Sequence, residues 1–77
     1  PELSQTVKEC RQALHLSSSE FAKRIHRDRH FLRKLENAEL AFDSQTLEDC
    51  AEALGLSAAE LVDIANSKEI IVLQAEA

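Results

Sequence analysis

The sequence predicts an all-α fold of five short helices, and three observations carry that expectation. Aliphatic residues dominate, Gly and Pro occur once each, and Tyr and Trp are absent, a composition that favours helices over turn-rich β architectures. Apolar residues recur at helical spacing in five segments joined by short polar connections. Helix-start and helix-stop signals fall at the borders of those segments: Ser17-Ser-Ser-Glu20, Asp28, Gly55 and Ser57-Ala-Ala-Glu60.

The first helix is expected over roughly 4–15, with Ser4 as its cap and Leu3, Val7, Cys10 and Leu14 as its core face. Ser17 and Glu20 form a capping box, the hydroxyl accepting an orphan amide while the carboxylate reaches back to the Ser17 amide. That box opens a short second helix through about Ile25, burying Phe21, Ala22 and Ile25, with His26 and Arg27 as a tight connection. Asp28 caps a third helix over 29–36, in which Phe31, Leu32 and Leu35 recur before Glu36-Asn37. Residues 38–42 break the pattern without glycine or proline. Asp43 or Ser44 then caps a fourth helix carrying Leu47, Cys50, Ala51 and Leu54, which Gly55 ends as a left-handed residue. Ser57 and Glu60 form a second capping box for a fifth helix with Leu61, Val62 and Ile64, ending near Asn66.

Residues 1–66 are therefore read as one domain and residues 67–77 as a C-terminal tail. The run Glu-Ile-Ile-Val-Leu-Gln in that tail is rich in β-branched residues and reads as a strand. A lone strand does not stabilise itself, so the tail must pack on the domain, pair with a second copy of the chain, or fray.

Seventy-seven residues suffice for one small core, and 44% hydrophobic with 30% charged residues lies far from a disordered profile. The longest apolar runs, such as Ile70 to Leu73, fall well short of the roughly twenty residues that a membrane span needs. The first residues lack the regions of a secretory signal, Pro1 is read as following a removed initiator Met, and the expected compartment is the cytoplasm. Cys10 and Cys50 sit among apolar neighbours without metal-ligand spacing and read as buried reduced thiols. His15, His26 and His30 are separated by a helix-breaking turn, so no metal is expected. No phosphate loop, nucleophile elbow or cofactor motif occurs, and no enzyme activity or cofactor is expected.

The formal charge of −5 taken as a single number argues against a polyanion ligand. Its distribution argues the other way. Residues 23–34 hold Lys23, Arg24, Arg27, Arg29, Arg33 and Lys34 against Asp28, a net +5, whereas the remaining residues hold three cations and thirteen acids, a net −10. Such a polarised chain orients an approaching polyanion; the plainer alternative is a solvated helical face.

A capped helix, a three-residue turn and a second capped helix exposing several cations make a helix-turn-helix plan. The stretches Val-Lys-Glu-Cys-Arg-Gln-Ala-Leu-His-Leu-Ser (7–17), Glu-Phe-Ala-Lys-Arg-Ile (20–25), Leu-Arg-Lys-Leu-Glu-Asn (32–37) and Leu-Glu-Asp-Cys-Ala-Glu-Ala-Leu-Gly-Leu-Ser (47–57) together resemble the Cro and phage-repressor (xenobiotic-response-element) family. The resemblance implies a compact five-helix, lambda-repressor-like domain that binds double-stranded DNA as a bacterial or phage-encoded transcriptional regulator, acting as a repressor and as a homodimer.

It further implies an internal ion pair between Arg11 and Glu36 and a recognition helix at 29–36. Arg29, His30, Arg33 and Lys34 are the implied base contacts, Arg being well matched to the two major-groove acceptors of guanine. Ser17, Ser18, Lys23 and Arg27 are the implied phosphate contacts, with Arg24 a further candidate; simple capping is an equal account of Ser17. Phe31 stands where small polar residues are common, and either touches a thymine methyl or caps the core beside Phe21. Dimerisation is assigned to a partly exposed fifth helix through Leu61, Val62 and Ile64, or to the tail through Ile70 and Val72.

Two departures qualify the resemblance. Where the family often has a glycine and then a basic loop after Glu-Asn, this chain has Ala-Glu-Leu-Ala-Phe-Asp at 38–43, which does not attract phosphate. His26 replaces a frequent glycine, so a left-handed backbone there carries strain. The rival reading is a protein-interaction module that binds another regulator or RNA polymerase. A variant of the first is an antitoxin-type repressor that also holds a partner protein through its tail.

Overall fold

The computed structural model describes the backbone of residues 2–76 and the side chains of residues 3–67. Five helices follow in order: α1 Glu2–Ala13, α2 Ser18–Arg24, α3 Arg29–Glu36, α4 Ser44–Ala53 and α5 Ala58–Glu76. α1 packs against α5 and α3, α2 against α3 and α4, and α4 against α5. Between them lie Val7, Phe21, Ile25, Leu32, Leu35, Cys50 and Leu61, all essentially closed to solvent. That core joins apolar positions from every helix, which is how so short a chain assembles one cluster.

The helix starts follow side-chain caps. Ser17, Asp28 and Asp43 sit in extended backbone and accept amides from Glu20 (3.1 Å), Phe31 (2.8 Å) and Thr46 (2.7 Å). At α5 the capping box is reciprocal, Glu60 N–H donating to Ser57 Oγ and Ser57 N–H to Glu60 Oε1. At α2 the returning bond differs from expectation: the Ser17 hydroxyl, not its amide, donates to Glu20 Oε1.

The helix ends share one device. His15, His26, Ala38 and Gly55 take φ of 58°, 60°, 61° and 75°. Each lies just past its helix, and its N–H and the next residue's bond back to carbonyls of the last turn, as in Ala38 N–H to Leu35 O and Glu39 N–H to Lys34 O. These are Schellman closures, which favour glycine because a Cβ crowds the left-handed backbone. Three of the four carry a side chain. The strain expected at His26 therefore recurs at His15 and at Ala38, the position that opens the 38–43 loop.

Four expectations are corrected. α1 starts at Glu2, so Ser4 is buried within the helix rather than capping it. Leu14 is 51% exposed, because α1 ends at Ala13 and the chain turns before Leu14 reaches the core. Leu61 is 0% exposed, so it belongs to the core and not to a dimer surface. The tail is not a strand: α5 continues unbroken from Ala58 to Glu76. No Gly or Pro interrupts that stretch, and extending a nucleated helix is easier than ordering an unpaired strand, whatever the β preference of Ile and Val.

Candidate nucleic-acid interface

The buried anchor of the site is Arg11 in the last turn of α1. Its Nε donates to Glu36 Oε2 at 2.8 Å, its Nη2 to Glu36 Oε1 at 3.1 Å and its Nη1 to the Leu16 carbonyl at 2.9 Å. Only 10% of the Arg11 side chain and 7% of the Glu36 side chain are exposed. A two-pronged pair in that position ties the end of α3 to α1 and to the turn that follows it. It also leaves the Glu36 carboxylate unable to neutralise the cations around it.

Those cations stand on the outward side of α3. Leu32 and Leu35 point into the core and Phe31 and Glu36 are half-buried, which leaves Arg29, His30, Arg33, Lys34 and Asn37 exposed. On one flank a groove of about 390 Å³ is lined by Lys8, Ser18, Arg29, His30, Arg33 and Asn37, with Arg11 and Glu36 at its wall. Among the described residues the Arg11–Glu36 contact is the ion pair, and no carboxylate lies within salt-bridge reach of Arg29 or Arg33. On the other flank, Arg27, Asp28, Phe31, Lys34 and Leu40 line a second depression that His30 also borders.

Phe31 belongs to the edge of the core, and the Arg27 guanidinium lies 3.9 Å from its ring centroid. Among the serines, Ser17 is engaged in capping, whereas Ser18 is half-buried in the groove wall. Lys23 is exposed on α2. Arg24 faces away from α3, and its Nη1 donates to the Ala53 carbonyl at the end of α4, 3.3 Å away. Lys8 and Asn37 were not singled out from the sequence. Lys8 was accessible to that reasoning: it stands one turn before Arg11 on the same face, so an Arg11–Glu36 pair carries Lys8 to the edge of α3.

Val62 and Ile64 are half-buried on α5, and the Ile70 and Val72 side chains lie outside the described residues. The loop over 38–43 is held by half-buried Leu40 and Phe42. Asp43 has its carboxyl held below the ordinary range, chiefly by the Thr46 amide, with the Arg27 charge a lesser cause. Burial pushes the Cys50 thiol up to about 12, helped by Asp49 and Glu36. That thiol stays protonated at neutral pH. Among the described residues no three His, Cys, Asp or Glu gather to hold a metal ion, and no helix is long and apolar enough to cross a membrane.

Comparison with known proteins places this geometry. Two solved structures of the clp gene regulator ClgR from Corynebacterium glutamicum share the fold. One superposes with a TM-score of 0.85 at 21% identity, covering 97% of this chain and 80% of that one. The other gives 0.79 at 22% identity, covering 87% of each chain. Comparison with curated proteins returned no match. The helix-turn-helix domain family matches residues 2–63. By that match the chain belongs to the helix-turn-helix domain family.

Proposed function

We propose that this chain is a transcriptional regulator, acting as a repressor, that binds double-stranded DNA by laying α3 in the major groove. One observation carries the reading: Arg29, His30, Arg33 and Lys34 are all exposed on α3, flanked by Lys8 and Ser18, with the groove's own carboxylate, Glu36, locked onto Arg11. A helix of that diameter fits the major groove, and unpaired guanidinium groups at its start are suited to the O6 and N7 acceptors of guanine. Arg29 and His30 reach base edges first, Arg33 and Lys34 follow one turn on, and Lys8, Ser18, Lys23 and Arg27 meet the flanking phosphates. Ser17 serves as a cap.

One recognition helix reads only a few base pairs, so two copies on adjacent half-sites would be needed for a long operator. Half-buried Val62 and Ile64 on α5 supply the apolar part of that contact. The same protein has the clp gene regulators as fold relatives, which fits a role in gene regulation. Fluorescence anisotropy against a randomised duplex pool at two salt concentrations tests the reading, with the Arg29→Ala, Arg33→Ala, Lys34→Ala triple variant alongside. Binding that weakens with salt and disappears in the folded variant is the expected result. Absence of binding at low salt would sink it in favour of a protein-interaction module.

A further inference from the structure

We infer that Phe31 is a positioning residue: it holds the Arg27 guanidinium beside α3, so that Arg27 and Lys34 form a second cationic rim across the helix from Lys8, Arg29 and Arg33. The inference rests on the reading of α3 as the recognition helix. Three features fix the arrangement. The Arg27 backbone is pinned, because its N–H closes the α2 end by donating to the Ala22 carbonyl at 2.9 Å. The ring is pinned too, since Phe31 packs on the core and its own N–H donates to the Asp28 cap at 2.8 Å. The guanidinium then lies on the ring face, 3.9 Å from its centroid, which is close contact for a cation over an aromatic quadrupole.

An exposed arginine on a helix connection ordinarily samples many rotamers and loses that freedom when it grips a phosphate. The ring removes part of that loss beforehand. It does so without consuming the charge: among the described residues no carboxylate is in salt-bridge contact with Arg27, and the Asp43 carboxylate answers mainly to the Thr46 amide. The rim also has no substitute on this flank, because the following loop contributes Glu39 and Asp43 and no cation. A direct role for Phe31 in touching a thymine methyl is disfavoured by the same contact, which covers the ring face with Arg27.

The test is a double-mutant cycle on duplex selected by the wild-type chain from a randomised pool, using Arg27→Ala, Phe31→Leu and both together, with Phe31→Tyr as the conservative control. Melting curves establish that each variant is folded at the assay temperature, and Phe31→Met replaces Phe31→Leu if it is not. Arg27→Ala should weaken binding roughly threefold to tenfold and lower the salt slope by about 0.9, the signature of one lost phosphate. Phe31→Leu should weaken binding about twofold to fivefold in the wild-type background and leave the Arg27→Ala chain unaffected, while Phe31→Tyr binds as wild type. An equal loss from Phe31→Leu in both backgrounds, or none in either, overturns the inference. If the wild-type chain selects no duplex, or Arg29→Ala and Arg33→Ala bind normally, the recognition-helix reading fails first and takes the inference with it.

Discussion

Removing the Glu36 carboxylate is the most informative single perturbation of this fold. In Glu36→Ala, Arg11 loses its partners at 2.8 and 3.1 Å and keeps only the Leu16 carbonyl at 2.9 Å. Each charge-assisted bond contributes about 1.5–3 kcal/mol, so the gross loss is roughly 3–6 kcal/mol. The adjacent groove lets water reach the stranded guanidinium, and we place the net loss at about 3 kcal/mol, within the range for breaking a buried pair. A 77-residue domain has on the order of 4–12 kcal/mol of stability, so this change takes a large share of it. The melting temperature should fall by about 12–24 °C, read by circular dichroism at helical wavelengths. Arg11→Met with Glu36→Leu should recover to within about 1–2 kcal/mol of wild type, because no uncompensated charge is left. Glu36→Ala melting within about 4 °C of wild type, or a double variant less stable than the single one, would refute the view that the pair clamps α3 to α1.

Other changes test separate links. Ala38→Gly relieves a left-handed backbone at φ 61° and should stabilise the chain by about 0.5–1 kcal/mol, measured by urea denaturation; a loss of stability would mean that the closure at Ala38 is not strained. Asp43 has a depressed carboxyl pKa, so its cap contributes above the ordinary value of 3.8 and the contribution fades as pH falls through the lower folded value. Thermal melts of wild type and Asp43→Asn should therefore converge at acid pH and separate toward neutrality, and a gap that is constant across pH would contradict this. Cys50, with its thiol at about 12 and no exposed surface, should resist alkylation at neutral pH until denaturant is added. Rapid labelling of Cys50 in the native chain would place it outside the core.

Most of the fold was legible because short-range rules govern it. Ser17, Asp28, Asp43 and Ser57 announce helix starts through hydroxyl and carboxylate acceptors, and no distant contact alters what such a side chain does for its own amides. Leu32 and Leu35 set the rotation of α3 by spacing alone, and that rotation puts Arg29, His30, Arg33 and Lys34 outside. What was illegible depended on where a helix stops in three dimensions. Leu14 keeps the period of Val7 and Cys10, yet α1 has already ended. Leu61 is indistinguishable from Val62 in sequence and differs only in which face of α5 meets α1 and α4. At residues 70–73 β propensity opposed continuation of α5, and local propensity lost, as it does where a neighbouring turn of helix is already formed. Arg24 and Arg27 look alike in sequence, and only the folded chain separates a cap on α4 from a cation stacked beside α3.

The net charge of −5 then acquires a physical meaning that the bare number lacks. Residues 35–67 contain eight acids and neither Lys nor Arg, and most of these acids lie on α4, its flanking loops and the start of α5. Among the described residues, Lys8, Arg27, Arg29, Arg33 and Lys34 gather around α3. A phosphate backbone approaching α4 meets repulsion, while one approaching α3 meets Lys8, Arg29, Arg33 and Lys34. The acidic face thus suppresses wrong orientations instead of cancelling the attractive one, since exposed charges more than about 10 Å apart are largely screened at physiological salt. The arrangement has a measurable cost. On the proposed reading the acidic 38–43 loop adds no phosphate contact, so binding to arbitrary duplex should be weaker and its salt slope shallower than with a basic loop there, and discrimination would rest on contacts along α3. Neutralising two α4 acids, as in Glu48→Gln with Glu52→Gln, should therefore leave affinity at physiological salt and sequence preference unchanged when read by fluorescence anisotropy, and a rise in affinity for all duplexes would show that the acidic face does cancel the attraction.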